Sequence, residues 1–487
     1  MRILLVLGTM LLAGFVQPAA GPIQLHPKNP HYFLYHGEPL ILITSAEHYG
    51  AVLNPDFDCL KYLDTLAEDG MNCTRIFTGS YFEKPGAFGI EENTLAPAPG
   101  KALTPWSRSD VPGNIGGGNK FDLEHWNPDY FSRLKAFISA AAARGIIVEV
   151  TLFSSIYTDS NWEVNPLNHL NNVNNTDQID RLKAHTLENG NLLGYQQQLV
   201  GKIVKELNLF ENIFFEVQNE PYGDLKELAL VLNPFDSESE ENWIKRVDLA
   251  PSESLEWQKM VVSLIKDEES KLPKEHVIAQ NYCNFKYPLK KIDRRLSILN
   301  FHYAWPEAVS WNYGYRRLIG FDESGFSGKN DSVYSRQAWR FIMAGGGLFN
   351  NLDYSFTVGH EDGTALNEAP GGGSSRLRGY LKVLKEFITS FDFVRMKPSN
   401  DIVVRAPGTI PFVLADPGQE YAVYLDGGEQ CGLVLDIPTG KYRVEWVNVS
   451  TGRKINSGSV THLGTQLLFS SPPYHGEIAL RISRLGK

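Results

Sequence analysis

Short apolar runs that stop abruptly at polar residues recur along most of the chain, with helix-period segments between them. The first run, Leu40-Ile41-Leu42-Ile43-Thr44, gives way to Ser45-Ala46-Glu47-His48. Asn54-Pro55 then reads as a helix start, and Phe57, Leu60, Leu63 and Leu66-Ala67 share one face up to Gly70. Proline is preorganised for a first helical turn, and glycine supplies the left-handed cap that ends one. A second strand is predicted over 72–78, with Arg75 near its end. Asn127-Pro128 repeats the start signal, and Phe131, Leu134, Phe137-Ile138 and Ala141 recur at helical spacing until Gly145. Further strands are predicted over 146–153, 213–217, 276–281, 298–303, 318–325 and within 345–356. Helices are predicted over about 192–209, 252–270, 331–343 and 375–391.

Eight mostly continuous apolar strands, mostly separated by helices, imply a parallel sheet buried on both faces. The fold class is therefore α/β, and eight such strands in one domain predict a closed (β/α)8 TIM barrel. The alternative is an open doubly wound sheet, but no G-x-G-x-x-G follows any strand. Long polar inserts lie at about 79–126, 154–190 and 222–250, each after the C-terminal end of a strand. In a barrel those loops wall the cleft where active sites sit. Beyond Met396-Lys397-Pro398 the pattern changes to short strands broken by Gly, Pro and Asp, such as E-Y-A-V-Y-L, G-L-V-L-D-I and Y-R-V-E-W-V. That predicts a small all-β sandwich. The expected organisation is a leader over 1–21, a barrel over 22–396 and a sandwich over 397–487.

Composition narrows the partners. A formal net charge of −10 argues against a nucleic-acid backbone and leaves neutral substrates open. The N-terminal M-R-I-L-L-V-L-G-T-M-L-L-A-G-F-V-Q-P-A-A-G pairs one early positive charge with a short apolar run ending in small residues. It is expected to be a signal peptide cleaved near Ala20 or Gly21, giving a secreted or periplasmic protein. Cys59, Cys73, Cys283 and Cys431 lack metal-type spacing; a Cys59–Cys73 bridge is possible on spacing alone. There is no H-E-x-x-H and no G-x-S-x-G, so no metal or cofactor is expected and an esterase is disfavoured.

The chemistry concentrates at strand ends. The run F-F-E-V-Q-N-E-P, residues 214–221, delivers Asn219 and Glu220 at the end of the fourth strand, where Pro221 stops ladder pairing. Glu323 ends the seventh strand and is followed by Ser324-Gly325; His302 and Tyr303 end the sixth. Strand alternation lets only one of Asp322 and Glu323 face inward, and only one of His302 and Tyr303. N-E-P on a fourth strand, E-S-G on a seventh, Arg75 on the second and His-Tyr on the sixth resemble the retaining glycoside hydrolases of clan A, the family 5 cellulase-like group. The C-terminal region is similar to the β-sandwiches that often follow such barrels.

That resemblance implies a carbohydrate substrate and a two-step displacement, with Glu220 as acid/base and Glu323 as nucleophile. Asn219 would bind the sugar 2-hydroxyl, while Arg75 and Tyr303 would keep Glu323 ionised with a lowered pKa. Ionised Glu323 would in turn raise that of Glu220. Glu47 and His48 would line the sugar site. Trp305, Trp162 and Trp106 are candidates for stacking on sugar rings, and Tyr354 or Phe356 would supply the platform at the end of the eighth strand. The competing reading is a barrel that binds glycan without cleaving it.

Overall fold

The computed structural model describes residues 21–233, 235 and 241–486. The expected leader, apart from Gly21, lies outside the described residues. Eight parallel strands make the central sheet: β1 (Leu42–Ala46), β2 (Cys73–Phe77), β3 (Ile147–Ser154), β4 (Ile213–Asn219), β5 (Ile278–Asn284), β6 (Ile298–His302), β7 (Leu318–Ser324) and β8 (Leu348–Leu352). Their order is β1-β8-β7-β6-β5-β4-β3-β2. Pairing of the first strand with the last, Leu42 opposite Leu348, rules out the doubly wound alternative. Between β1 and β2 a side chain takes the place of a ladder. Asn72 Oδ1 accepts from the Ile43 amide (2.9 Å), and its Nδ2 donates to the Ile41 carbonyl (2.8 Å).

Helices α1 (Cys59–Glu68), α2 (Pro128–Ala142), α3 (Leu192–Leu207), α4 (Ser252–Glu269), α5 (Pro306–Asn312), α6 (Asp331–Met343) and α7 (Ser375–Thr389) follow every strand except β5. Asn127 caps α2 by accepting from the Asp129 amide, with Pro128 in the first turn, as its sequence predicts. The first helix departs from expectation. It starts at Cys59, where the Asp58 carboxylate accepts from the Leu60 and Lys61 amides, and not at Asn54-Pro55. The later start turns Leu60 to solvent and buries Tyr62, Leu63 and Leu66.

The N-terminal end of the barrel is plugged. Ile23, and Phe33 from a small three-stranded sheet before β1, pack on the first residues of the strands, including Leu42, Cys73, Phe214 and Leu348. The opposite end carries the three inserts. After Arg395 a six-stranded antiparallel sheet faces a three-stranded one over Val413, Val423, Leu433, Trp446, Phe469 and Leu480. This β-sandwich is fixed to the barrel through α6: Trp339 stacks on Tyr424 (5.2 Å between centroids), and Arg336 and Arg340 both pair with Asp426. All four cysteines are free. Cys73 is buried in β2, and Cys59 Sγ instead lies against the Ala51 carbonyl (2.9 Å).

Candidate active site

Strands β4, β6 and β7 bring their polar ends to one cleft because each breaks simple alternation there. Glu220, just past β4, and Tyr303, just past β6, both adopt left-handed backbone, with φ of 43° and 51°. Such a residue rotates the chain out of the pleat, so Asn219 and Glu220 both reach the cleft, as do His302 and Tyr303. On β7 the register against β6 slips: Asn300 lies opposite Gly320, but His302 lies opposite Glu323. One extra residue on β7 turns both Asp322 and Glu323 inward. The alternation rule, applied to Asp322–Glu323 and to His302–Tyr303, therefore fails at both pairs.

Arg75 is wholly buried at the centre. Its guanidinium reaches Glu323 Oε2 (3.1 Å), Asp322 Oδ2 (3.5 Å) and the Asn219 Oδ1 acceptor (2.9 Å), and it pairs with Glu216. Tyr303 Oη donates to Glu323 Oε1 (3.0 Å). Glu220 takes hydrogen bonds from Tyr157 Oη (2.8 Å) and Tyr222 Oη (3.3 Å), and lies 3.0 Å from His302 Nδ1. The same His302 nitrogen is 3.5 Å from Glu323 Oε2. One oxygen each of Glu220 and Glu323 and a ring nitrogen of His302 all lie within 4.8 Å of one another. That spacing, like that of Glu216, His302 and Asp322, could hold a cation. A protonated His302 is no ligand, so in that charge state the cluster pairs internally.

Beneath the carboxylates lies a second polar layer. Asn300 Nδ2 donates to Glu149 Oε1 (2.9 Å), Glu216 Oε1 (3.1 Å) and Asp322 Oδ2 (2.8 Å). Burial pushes Glu216 up to about 7 against the pull of Arg75, and raises Glu149 well above the usual carboxylate range. Asp322 also resists burial, but the charges of Arg75 and His302 hold it down at about 2. Burial would lower His302, yet Glu323 and Asp322 raise it well above an ordinary imidazole.

The two principal carboxyls titrate opposite to the sequence expectation. For Glu220, burial acts to raise the pKa, but the hydrogen bond and charge of His302 outweigh it and hold the group below its ordinary value. For Glu323, burial and the charge of Glu220 outweigh His302 and Arg75 and raise it. The contacts expected of Arg75 and Tyr303 are present. What reverses the order is His302, which sits closer to Glu220 than to Glu323.

The remaining candidates separate. His48 lines the cleft beside Tyr49 and Phe77. Burial, then Arg75, pushes it down to about 3, so it is neutral there. Glu47 does not face the cleft: it accepts from the Gly50 and Ala51 amides and from Thr94 Oγ1 (2.6 Å), fixing the turn after β1. Tyr354 stacks behind His48 (5.5 Å), and Phe356 packs edge-on against Tyr62, so neither forms a platform in the cleft wall. Trp106 and Trp162 are core residues. Trp305 stays about two-fifths exposed (38%) outside the pocket that Glu220 and Glu323 line, with Lys286 Nζ 4.2 Å over its ring.

No family model and no curated protein matches the sequence. Solved structures do match in shape. An inferred glycoside hydrolase from Bacteroides vulgatus ATCC 8482 superposes with a TM-score of 0.65 at 14% identity, over 97% of this chain and 84% of that one. A glycoside hydrolase family 5 protein from the same organism gives 0.61 at 12% identity, over 95% and 94%. A third structure, a glycoside hydrolase, gives 0.59 at 11%, over 95% and 97%. The chain has the fold of these hydrolases.

Within that fold, sequence reasoning missed Glu149, Glu216 and Tyr157. The first two had a readable signal: each is a lone carboxylate inside an apolar strand, in I-I-V-E-V-T and F-F-E-V. A charge at a buried strand position needs a buried partner, and Arg75 was the available one. Tyr157 had no such signal. It lies in an insert, and only the folded loop brings its hydroxyl to Glu220 and to Asn219 Nδ2 (2.7 Å).

Proposed function

We propose that this is an exported retaining β-glycoside hydrolase acting on oligo- or polysaccharides, with Glu323 as nucleophile and Glu220 as acid/base. The observation that carries the reading is the approach of the two carboxylates to within 4.8 Å beside a shared cavity. Retaining enzymes hold their carboxyls about 5–5.5 Å apart, whereas inverting enzymes need about 6.5–9.5 Å to admit a water.

In the first step a Glu323 oxygen forms a bond to the anomeric carbon as the bond to the leaving oxygen breaks. Glu220 gives that oxygen its proton. In the second, Glu220 removes a proton from water, whose oxygen displaces Glu323 and regenerates both groups. Arg75 and Tyr303 stabilise Glu323 as it becomes a leaving carboxylate. Asn219, aligned by Arg75 and Tyr157, is placed for a sugar hydroxyl.

Glu323 is the more basic of the two carboxyls, so a proton it holds must reach Glu220 before attack. His302 Nδ1, 3.0 Å from one and 3.5 Å from the other, can do this by giving its proton to Glu220 and taking one from Glu323. The export assignment rests on the leader sequence, and N-terminal sequencing of the protein from culture medium tests it.

The primary test is the anomer first released from a β-linked glycan, followed by proton NMR. Release of the β-anomer supports double displacement; initial release of the α-anomer overturns it.

A further inference from the structure

The cleft is asymmetric about Glu220. On one side Glu220 and Glu323 share a small cavity of about 50 Å³ with His48, Tyr49, Tyr81 and Glu83. On the other, a larger cavity of about 190 Å³ runs past Tyr222, Trp243 and Asn284.

The small side ends in a wall built from loops after β1, β2 and β8. Thr94 is seated against Gly50, where any Cβ would lie 2.2 Å from the Thr94 carbonyl carbon. The Glu91 amide donates to the Glu368 carbonyl (3.1 Å), and Thr357 Oγ1 donates to Glu92 Oε2 (2.9 Å). The β2 and β8 loops therefore join across the end of β1. Within the wall, Glu83 accepts from Tyr81 Oη (2.9 Å) and from Asn93, and burial pushes it up to about 7. A carboxyl with one bond on each oxygen keeps lone pairs for sugar hydroxyls.

The larger side carries a row of aromatic rings leading away from Tyr303. Tyr303 meets Trp243 (5.1 Å between centroids), Trp243 stacks on Phe285 (6.2 Å) and Phe285 meets Trp305 (5.9 Å). Lys286 Nζ then sits over both Trp305 and Trp311, the latter 45% exposed. Glu220 protonates the leaving oxygen, so the leaving group occupies this side.

The geometry points to attack at a chain end. One sugar residue fills the walled pocket against Glu83, and the rest of the glycan leaves along the partly exposed Trp243, Trp305 and Trp311, with Phe285 buried behind them. The inference rests on the glycosidase reading and deepens it: the substrate is an oligosaccharide shortened one residue at a time from its non-reducing end. Closed pockets and flat aromatic faces divide the work, because pyranose rings stack on exposed rings without needing a fixed length.

The test uses the full chain and reducing-end-labelled β-1,4-linked gluco-, manno- and xylo-tetraose, resolved by chromatography at low conversion. The expected first products are a monosaccharide and a labelled trisaccharide. A labelled mono- or disaccharide as first product overturns chain-end attack while leaving the glycosidase reading intact. No turnover of any member counts against the glycosidase reading itself, and the inference falls with it. As a second measurement, Trp311→Ala should lower the ratio of kcat/KM on the tetraose to that on the diose about three- to tenfold. An unchanged ratio overturns the aromatic path.

Discussion

Replacing Glu220 by Gln separates the two steps of the proposed reaction. Gln keeps an oxygen toward His302 Nδ1, 3.0 Å away, and Tyr222 Oη, 3.3 Å away. What changes locally is the bond from Tyr157 Oη (2.8 Å), which would meet an amide donor. Losing one such bond costs about 1 kcal/mol, a factor of roughly five. Losing a general acid costs far more, about 10²–10⁴-fold. The first step should therefore slow by that larger factor on a natural glycan, whose leaving alkoxide needs a proton. It should stay fast on a dinitrophenyl glycoside, which leaves unaided. The second step needs Glu220 as base in both cases, so the glycosyl-enzyme accumulates.

Rapid-mixing absorbance should show a burst equal to the enzyme concentration, and intact mass should rise by one glycosyl residue, mapped by peptide fragmentation to Glu323. The pH profile adds a signed check. The charge of Glu220 helps to raise Glu323, so its removal should let Glu323 ionise more easily, leaving a single acid limb of kcat/KM that lies at lower pH than the wild-type alkaline limb. Glu323→Gln should give no burst. A burst from Glu323→Gln, or a label on any residue but Glu323, would refute the role assignment and with it the proton path through His302.

Other consequences follow from the same contacts. Arg75→Met removes the guanidinium that pairs with Glu216, Asp322 and Glu323; unfolding in urea should show a loss of about 3–5 kcal/mol at pH 7. The loss should shrink as pH falls and the carboxyls protonate, and a loss below about 1 kcal/mol would contradict the pairing. Tyr157→Phe removes a hydrogen bond that lowers Glu220, so the acid limb of kcat/KM, which the lower of the two carboxyls sets, should move to higher pH; a shift the other way would mean that Tyr157 does not bond the carboxylate. Glu83 is raised from 4.5 to about 7 on folding. A raised carboxyl favours the native state below the unfolded pKa, and that contribution is lost as pH climbs to the folded one. The wild type should therefore lose stability relative to Glu83→Gln between about pH 4.5 and 7, and parallel stability curves over that window would contradict the burial. Deleting residues 397–487 strips Tyr424 and Asp426 from Trp339, Arg336 and Arg340, so the truncated barrel should melt earlier and aggregate, as light scattering during heating would record.

The strand sequence, the helices between strands and the change to short β segments after Met396 were legible from hydrophobic period alone. That period records which faces are buried, and a barrel strand buried on both faces leaves a continuous apolar run. Asn219, Glu220, His302, Tyr303 and Glu323 were legible too, because each lies where an apolar run ends and all those ends share one face of a parallel barrel, and Arg75 was legible as a lone charge inside an apolar strand. Tertiary structure decided what lies beyond strand periodicity. Left-handed backbone at Glu220 and Tyr303 and the extra residue on β7 turn neighbouring side chains to the same side, against the alternation that a regular strand imposes. The loops from distant segments that place Tyr157 and Glu83 beside the carboxylates carry no period at all. The opposite shifts of Glu220 and Glu323 reflect burial together with the place of His302, 3.0 Å from one and 3.5 Å from the other, which is fixed only when β4, β6 and β7 are packed together.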